Sequence, residues 1–315
     1  MIDARPVWSA RRDVFATTIP GGPTTRGFEL GFGTDMPNRL TVGRWSRAGR
    51  MNLLTWIWLG LSASIAGAVN SLAGGGTLLT FPTLLAALAS LGSAEAAVVA
   101  NMTSTVALVP GSMAGAWGYR RELGAVRAWL VLLAAPSLLG GWIGALLVSR
   151  VDPRYFAVLV PWLTLTAATL FLLQPRLPYK RTEEATLELP SLAGRVGIVG
   201  FQFLVGVYGG YFGAGIGILM LGALAVMGLK DVHQMNALKT VLAALINGVS
   251  VLVFATSGRV HWPYAGVMAL AAIVGGYLGA HGSRYLPRSV VRWFVIAVGF
   301  GLSAYFFWKQ ASSQT

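Results

Sequence analysis

From residue 53 to residue 308 the chain is a succession of apolar runs, interrupted twice by clusters of glycine rather than by charge. The runs cover roughly residues 53–73, 77–91, 94–117, 128–149 and 155–174, then 196–212, 216–229, 231–256, 264–282 and 289–308. A helix needs about 20 apolar residues to cross a bilayer, and several runs reach that length. Backbone in hydrocarbon must satisfy its own hydrogen bonds, which leaves only helices and closed barrels. The runs lack the short alternating pattern of an outer-membrane barrel. The expected fold is an all-α, polytopic membrane protein. Composition agrees: 55% of residues are hydrophobic, 11% are charged, and mean hydropathy is +0.64.

The net charge of +13 raises the question of nucleic acid. Arginine and lysine fall mainly at the ends of the apolar runs and within residues 1–50, where they set topology and anchor to anionic lipid. No zinc-finger, RNA-recognition or basic-zipper pattern accompanies them, so nucleic acid is not expected as a partner. There is no cysteine, which excludes disulfides, thiolate metal sites and a thiol nucleophile. His233, His261 and His281 make no metal-ligand pair at helical spacing. Neither a metal nor another cofactor is expected.

Residues 1–50 carry Gly, Pro, Thr and Arg without apolar periodicity and are expected to be a disordered basic extension. Met51 opens the first apolar run and is a natural alternative start. A polar linker at 175–193 divides a first membrane repeat, 51–174, from a second, 194–308, and 309–315 form a tail. The halves repeat. Gly140-Gly141-Trp142-Ile143-Gly144-Ala145 returns 135 residues later as Gly275-Gly276-Tyr277-Leu278-Gly279-Ala280, and Asn101 and Thr105 return as Asn236 and Thr240. Gly67 and the run Gly74–Gly76 match Gly206 and Gly213–Gly215 at an offset of 139. The runs at 77–91 and 216–229 are short for a crossing and read as half-helices. If they stop short, four crossings per half give parallel repeats and about eight membrane helices in all, which is the expectation. If they cross, five per half give inverted repeats.

The glycine clusters are the first candidate site. Asn70, Ser71, Gly75, Gly76 and Thr77 surround one, and Gly213 and Gly215 lie in the other. Glycine in a helix interior costs about 1 kcal/mol relative to alanine, so clusters of this kind break helices. A break frees amide N–H groups at the start of the next helix, where the dipole favours an anion. Two such breaks, one per half, can aim at one central site.

A polar stripe is the second candidate. Asn236, Lys239, Thr240 and Asn247 share one helical face, and Asn101, Ser104, Thr105 and Ser112 share the matching face of the first half. Lys239 stands alone as a cation in its run, about 12 Å along the helix at 1.5 Å per residue. A buried ammonium is costly and marks function unless it snorkels outward. Glu95 and Asp231 sit at run ends, and no carboxylate suits a buried cation site or proton relay. The pairs Gly111/Gly115, Gly140/Gly144 and Gly275/Gly279 read as close helix contacts.

At Gly67-Ala68-Val69-Asn70-Ser71-Leu72-Ala73-Gly74-Gly75-Gly76, at Asn101-Met102-Thr103-Ser104-Thr105, from Gly206 to Gly217 and at Asn236-Ala237-Leu238-Lys239-Thr240, the chain resembles the sulfite exporter TauE/SafE family, also described as toluene sulfonate uptake permeases. The resemblance covers about residues 53–308. It implies a multi-pass bacterial inner-membrane permease of about eight helices that moves sulfite, sulfonates or related organosulfur anions. Substrate and direction vary across such proteins, so a permease for a carboxylate and an anion channel remain alternatives. An intramembrane enzyme is the remote one, since Ser71 and Ser104 have no base nearby in sequence. The expected partners are a small anion and the lipid bilayer, with coupling ion, homo-oligomerisation and direction left open.

Overall fold

The computed structural model describes residues 53–72, 75–118, 122–173, 192–226, 229, 232–282 and 288–312. The expected basic extension at 1–50, the start at Met51 and the linker at 175–193 lie outside the described residues. The described residues form ten α-helices and no strand. They are α1 (Leu53–Leu72), α2 (Thr77–Ala87), α3 (Ser93–Gly118), α4 (Arg127–Arg150), α5 (Pro153–Leu173), α6 (Leu192–Tyr211), α7 (Ile216–Val226), α8 (Val232–Thr256), α9 (Trp262–Gly282) and α10 (Arg288–Ser312). Six of them (α1, α3, α4, α5, α8 and α10) are long and apolar enough to cross a bilayer, and α9 carries a shorter apolar segment, Trp262–Leu278.

Both glycine clusters interrupt helices. Gly75, Gly213 and Gly215 have φ of 89°, 81° and 80°, a region that only glycine enters without strain. After the first break α2 doubles back along α1. The Ser62 hydroxyl donates to the Leu79 carbonyl at 3.2 Å and meets Thr83 Oγ1 at 2.9 Å, while Gly76 packs on the Ala66 carbonyl. At 11 residues, α2 is only about 16 Å long, so it is a returning arm. In the second half, α7 folds back beside α6 in the same way, with Tyr208 Oη donating to the Ala214 carbonyl at 2.7 Å across the turn.

Two helix pairs cross the boundary between halves and pack in parallel, α1 on α9 and α4 on α6. A methyl group at Gly275 would run into the carbonyl of Ser64, and one at Gly67 into the carbonyl of Ala272. In the other pair, Gly140 faces the Phe203 carbonyl in the same sense, and Gly206 faces that of Ser137. Ser64 and Phe203 are 139 residues apart, as are Gly67 and Gly206; Ala272 and Ser137 are 135 apart, as are Gly275 and Gly140. The offsets read from sequence therefore recur as equivalent backbone contacts. Helix α5 packs antiparallel on α10, where Ser303 Oγ donates to the Pro161 carbonyl at 2.9 Å and Trp162 meets Phe307 edge-on.

Helix α3 is the most enclosed of the long helices, and α8 packs on it. No described side chain is exposed from Ala94 to Ser112 or from Gln234 to Val251. On the outer helices Trp58, Trp142, Trp162, Leu270 and Trp308 are exposed, as lipid-facing surfaces require.

Helix directions follow from the end contacts. Arg259, in the α8–α9 turn, pairs with Glu95 in the first turn of α3 at 3.4 Å and donates to the Ser149 carbonyl near the end of α4 at 3.1 Å. The backbone N–H of His261 donates to Thr103 Oγ1 at 3.1 Å. All of these mark one end of the bundle, the Glu95 end; α4 begins at the other, the Arg127 end. The first half starts at the Glu95 end and finishes at the Arg127 end, and the second half runs the opposite way. The sequence alternatives tied half-helices to parallel repeats. Here half-length arms coexist with oppositely directed halves, because each break folds its arm back along the helix before it.

The backbone contacts carry a stability expectation. Gly275→Ala forces a methyl onto the Ser64 carbonyl and should destabilise the protein by about 1–3 kcal/mol. Gly200→Ala, on a helix with nothing within 4 Å of the new methyl, should be neutral or slightly stabilising. Unfolding of detergent-purified variants would separate the two, and equal stability would show that the α1–α9 contact is not close packed.

Candidate functional site

The second break and helix α8 bring one set of expected residues together. The stem of Lys239 lies across Gly217 in the first turn of α7, where a Cβ would sit 3.2 Å from Lys239 Cδ. The ammonium donates to Asn236 Oδ1 at 3.1 Å, one turn back along α8. Thr240 donates to the Asn236 carbonyl at 2.7 Å and so stays on its own helix. Asn247 flanks the break, its Oδ1 3.9 Å from where a Cβ on Gly213 would lie. Asn236, Lys239, Thr240 and Asn247 are all half-buried. Over this stretch α8 has no exposed side chain, and the groove between α7 and α8 at these partly accessible residues is the candidate crevice.

The sequence allowed Lys239 to snorkel. Its side chain instead reaches back along α8 to a neutral acceptor, as a helical side chain leaning toward the N-terminus does. Two positive features converge here: the ammonium, and the N-terminal end of a half-helix, whose Ile218 and Leu219 N–H groups are already bonded to the Gly215 carbonyl.

The first half arranges its matching residues differently. Asn101 and Ser104 are at most 1% exposed and Thr105 is 8% exposed, so this stripe is closed in. Asn101 Nδ2 donates to the Tyr211 carbonyl at 2.9 Å and so holds the second-half break from the first half; its Oδ1 is buried without a partner. Ser104 and Thr80 share a buried hydrogen bond, and Thr105 donates to the Asn101 carbonyl at 3.0 Å. Asn70 Nδ2 donates to Ser112 Oγ at 3.3 Å, tying α1 to α3. Gly75 abuts Phe171 of α5, Gly76 packs on α1, and Thr77 opens α2 half-buried. The Ser71 side chain and Gly74 lie outside the described residues. Gly215 packs on Ala167 and Leu170 of α5, and Phe212 is buried among Phe81 and Phe156 of the first half.

Sequence reasoning passed over several members of this constellation. Thr80 had a local sign, since it lies one turn beyond Gly76 on an apolar arm. Tyr208 had one too, six residues before the carbonyl it caps. Gly217 sat in the glycine cluster without a role, and only the fold sets it under Lys239. At the Glu95 end, His261 caps α9 by accepting the Tyr264 N–H at Nδ1, 3.3 Å away, and burial lowers its pKa and favours the neutral ring. Among the described residues no group of His, Cys, Asp or Glu could hold a metal ion.

Comparison with known proteins places this arrangement. The model of the sulfite exporter TauE/SafE family matches residues 59–306. The chain is 30% identical over 246 residues to the "Probable membrane transporter protein YfcA" of Escherichia coli (strain K12), covering 77% of this chain and 86% of that protein. It is 27% identical over 243 residues to a "Probable membrane transporter protein" of Haemophilus influenzae, covering 76% and 89%. A third relative, from Sinorhizobium sp., is 26% identical over 251 residues, covering 78% and 90%. No solved structure matches the chain. A match across nearly all of the ten helices, together with relatives described as probable membrane transporters, makes this multi-pass membrane protein a member of the sulfite exporter TauE/SafE family.

Proposed function

We propose that this protein is an inner-membrane permease for small anions, with sulfite, sulfonates and related organosulfur anions as its substrate class, bound in the crevice at Lys239. The observation that carries this reading is the seating of Lys239 on Gly217, its ammonium 3.1 Å from Asn236, on a helix with no exposed side chain around it. A full positive charge at that depth favours an anion beside it. A substrate oxyanion is one. The Asn236 amide and the N-terminal dipole of α7 add neutral stabilisation suited to oxygen atoms of either a sulfonate or a carboxylate. Of the described carboxylates, Glu95 and Asp152 lie at helix ends and Glu122 lies in the short turn between α3 and α4. Oppositely directed halves supply the motion: rocking one against the other exposes the crevice first to one face and then to the other.

Flux measured in proteoliposomes tests the site. Lys239→Ala should lower sulfite or sulfonate flux at least tenfold, since a lost charge-assisted contact is worth roughly 1.5–3 kcal/mol. Lys239→Arg should keep part of it. Gly217→Val, which displaces the lysine stem, should raise the apparent KM while leaving the charge in place. Unchanged flux and affinity in both Lys239 variants would remove the residue from the site. A counterflow panel including carboxylates assigns the anion class, and unitary currents in place of counterflow would mark a channel.

Helix directions also sort the charges that sequence alone left mixed. The sequence joining α3 to α4, α5 to α6, α7 to α8 and α9 to α10, with the adjoining helix starts, holds Arg120, Arg121, Arg127, Arg176, Lys180, Arg181, Arg195, Lys230, Arg284, Arg288 and Arg292. The Glu95 end has Arg150, Arg154, Arg259 and Lys309, and Arg39, Arg44, Arg47 and Arg50 precede α1 in the sequence. The bias makes the Arg127 end cytoplasmic. An impermeant maleimide should therefore label Ser90→Cys in intact cells, and Ala125→Cys only after permeabilisation. The reverse pattern would invert the assignment.

A further inference from the structure

At the Glu95 end lies a cleft of about 650 Å3, lined among others by Glu95, Arg150, Asp152, Arg154 and Arg259. Three arginines and two carboxylates line it, and among them Arg259 and Glu95 form an ion pair. Asp152 is already engaged as the cap of α5, its Oδ1 accepting the Arg154 N–H at 2.8 Å. The other carboxylate, Glu95, faces Arg259 at 3.4 Å. Arg259 is held in place from behind: its backbone N–H donates to Ser257 Oγ at 3.2 Å, and its Nη1 donates to the Ser149 carbonyl. The guanidinium is thus positioned by neutral groups, and Glu95 is the only charged partner it has in this cleft. The pair is 28% and 32% exposed, so it is wet, weak and exchangeable.

We propose that this cleft is an entry subsite for small oxyanions, in which Arg259 is the ligand and Glu95 a built-in competitor that occupies it between arrivals. The class of ligand rests on the permease reading, whereas the subsite stands on its own geometry. A fork of five N–H donors suits a sulfonate as well as a carboxylate. An arriving anion displaces Glu95, and that exchange opens the single ion pair joining the start of α3 to the α8–α9 turn. Asn101, which holds the second-half break, lies six residues farther along α3, about 9 Å away. Occupancy at the mouth is thereby linked to the element that carries Lys239's crevice.

The absence of cysteine makes a direct test simple. Ala94, which also lines the cleft, is replaced in the otherwise native full-length protein by Ala94→Cys. Its rate of maleimide labelling is then followed against methanesulfonate at constant ionic strength. Methanesulfonate should slow labelling. Glu95→Gln should lower the half-protective concentration roughly fivefold, the factor expected for removing a surface ion-pair competitor. Arg259→Gln should raise it more than tenfold, and Glu95→Gln added to Arg259→Gln should change nothing further. Equal half-protection in all variants, or no protection in the parent while flux still depends on Lys239, overturns the subsite alone. Protection that follows this pattern, with flux indifferent to Lys239, upholds the subsite and overturns the central site instead.

Discussion

Backbone pressed on backbone, at the α1–α9 and α4–α6 crossings, is the constraint from which the rest of this molecule follows. In a bilayer, apolar side chains gain little by leaving lipid for protein, so close approach and its dispersion contacts must hold helices together. Glycine allows that approach, and here each close pair joins one half of the chain to the other. The halves are thereby exchanged, each completing its packing with a helix of its partner. In the proposed function, rocking one half against the other pivots on these crossings, while α3 and α8 pack on each other and on helices of both pairs.

The enclosure changes what a broken helix means. A half-helix exposed to lipid would leave its first amides unsatisfied, at several kcal/mol each. Here the Asn101 amide and the Tyr208 hydroxyl satisfy carbonyls at the second break, and Phe212 is sealed among aromatic rings of the first half. The carbonyl side of the break is therefore fixed and neutral. The amide side, at the start of α7, meets Lys239. The negative pole of the interruption is consumed by protein, and the positive pole is turned toward the crevice.

The breaks and their equivalence were readable in the residues because glycine marks them locally and a repeat needs only a consistent offset. Asn236, Lys239 and Thr240 were readable as one face because helical periodicity is local as well. What escaped was set by distant partners. Nothing around Ser104 announces Thr80, and nothing around Asn101 announces a carbonyl 110 residues away. The return of α2 along α1 depends on Ser62 finding the Leu79 carbonyl, a tertiary event with no counterpart in composition. Arg259 and Glu95 read as ordinary helix-end charges until the fold sets both at the rim of one cleft.

Equivalence of position also proved separable from equivalence of environment. Ser104 and Lys239 occupy matching places on α3 and α8, each against the returning arm of its own half. In the first half the place is filled by a neutral hydrogen bond between two small hydroxyls, and it is closed. In the second half a glycine on the arm makes room for a lysine, and it is accessible. Two lysines in such a duplicated frame would repel across the interior and call for two anions, or for one anion held midway. A single lysine opposite a sealed Ser104–Thr80 pair favours one proposed site, displaced toward the second half of the duplicated scaffold. The charge is thus a feature of one copy laid on the duplicated frame, and the proposed function therefore puts the anion beside α7 and α8 rather than on the pseudo-symmetry axis.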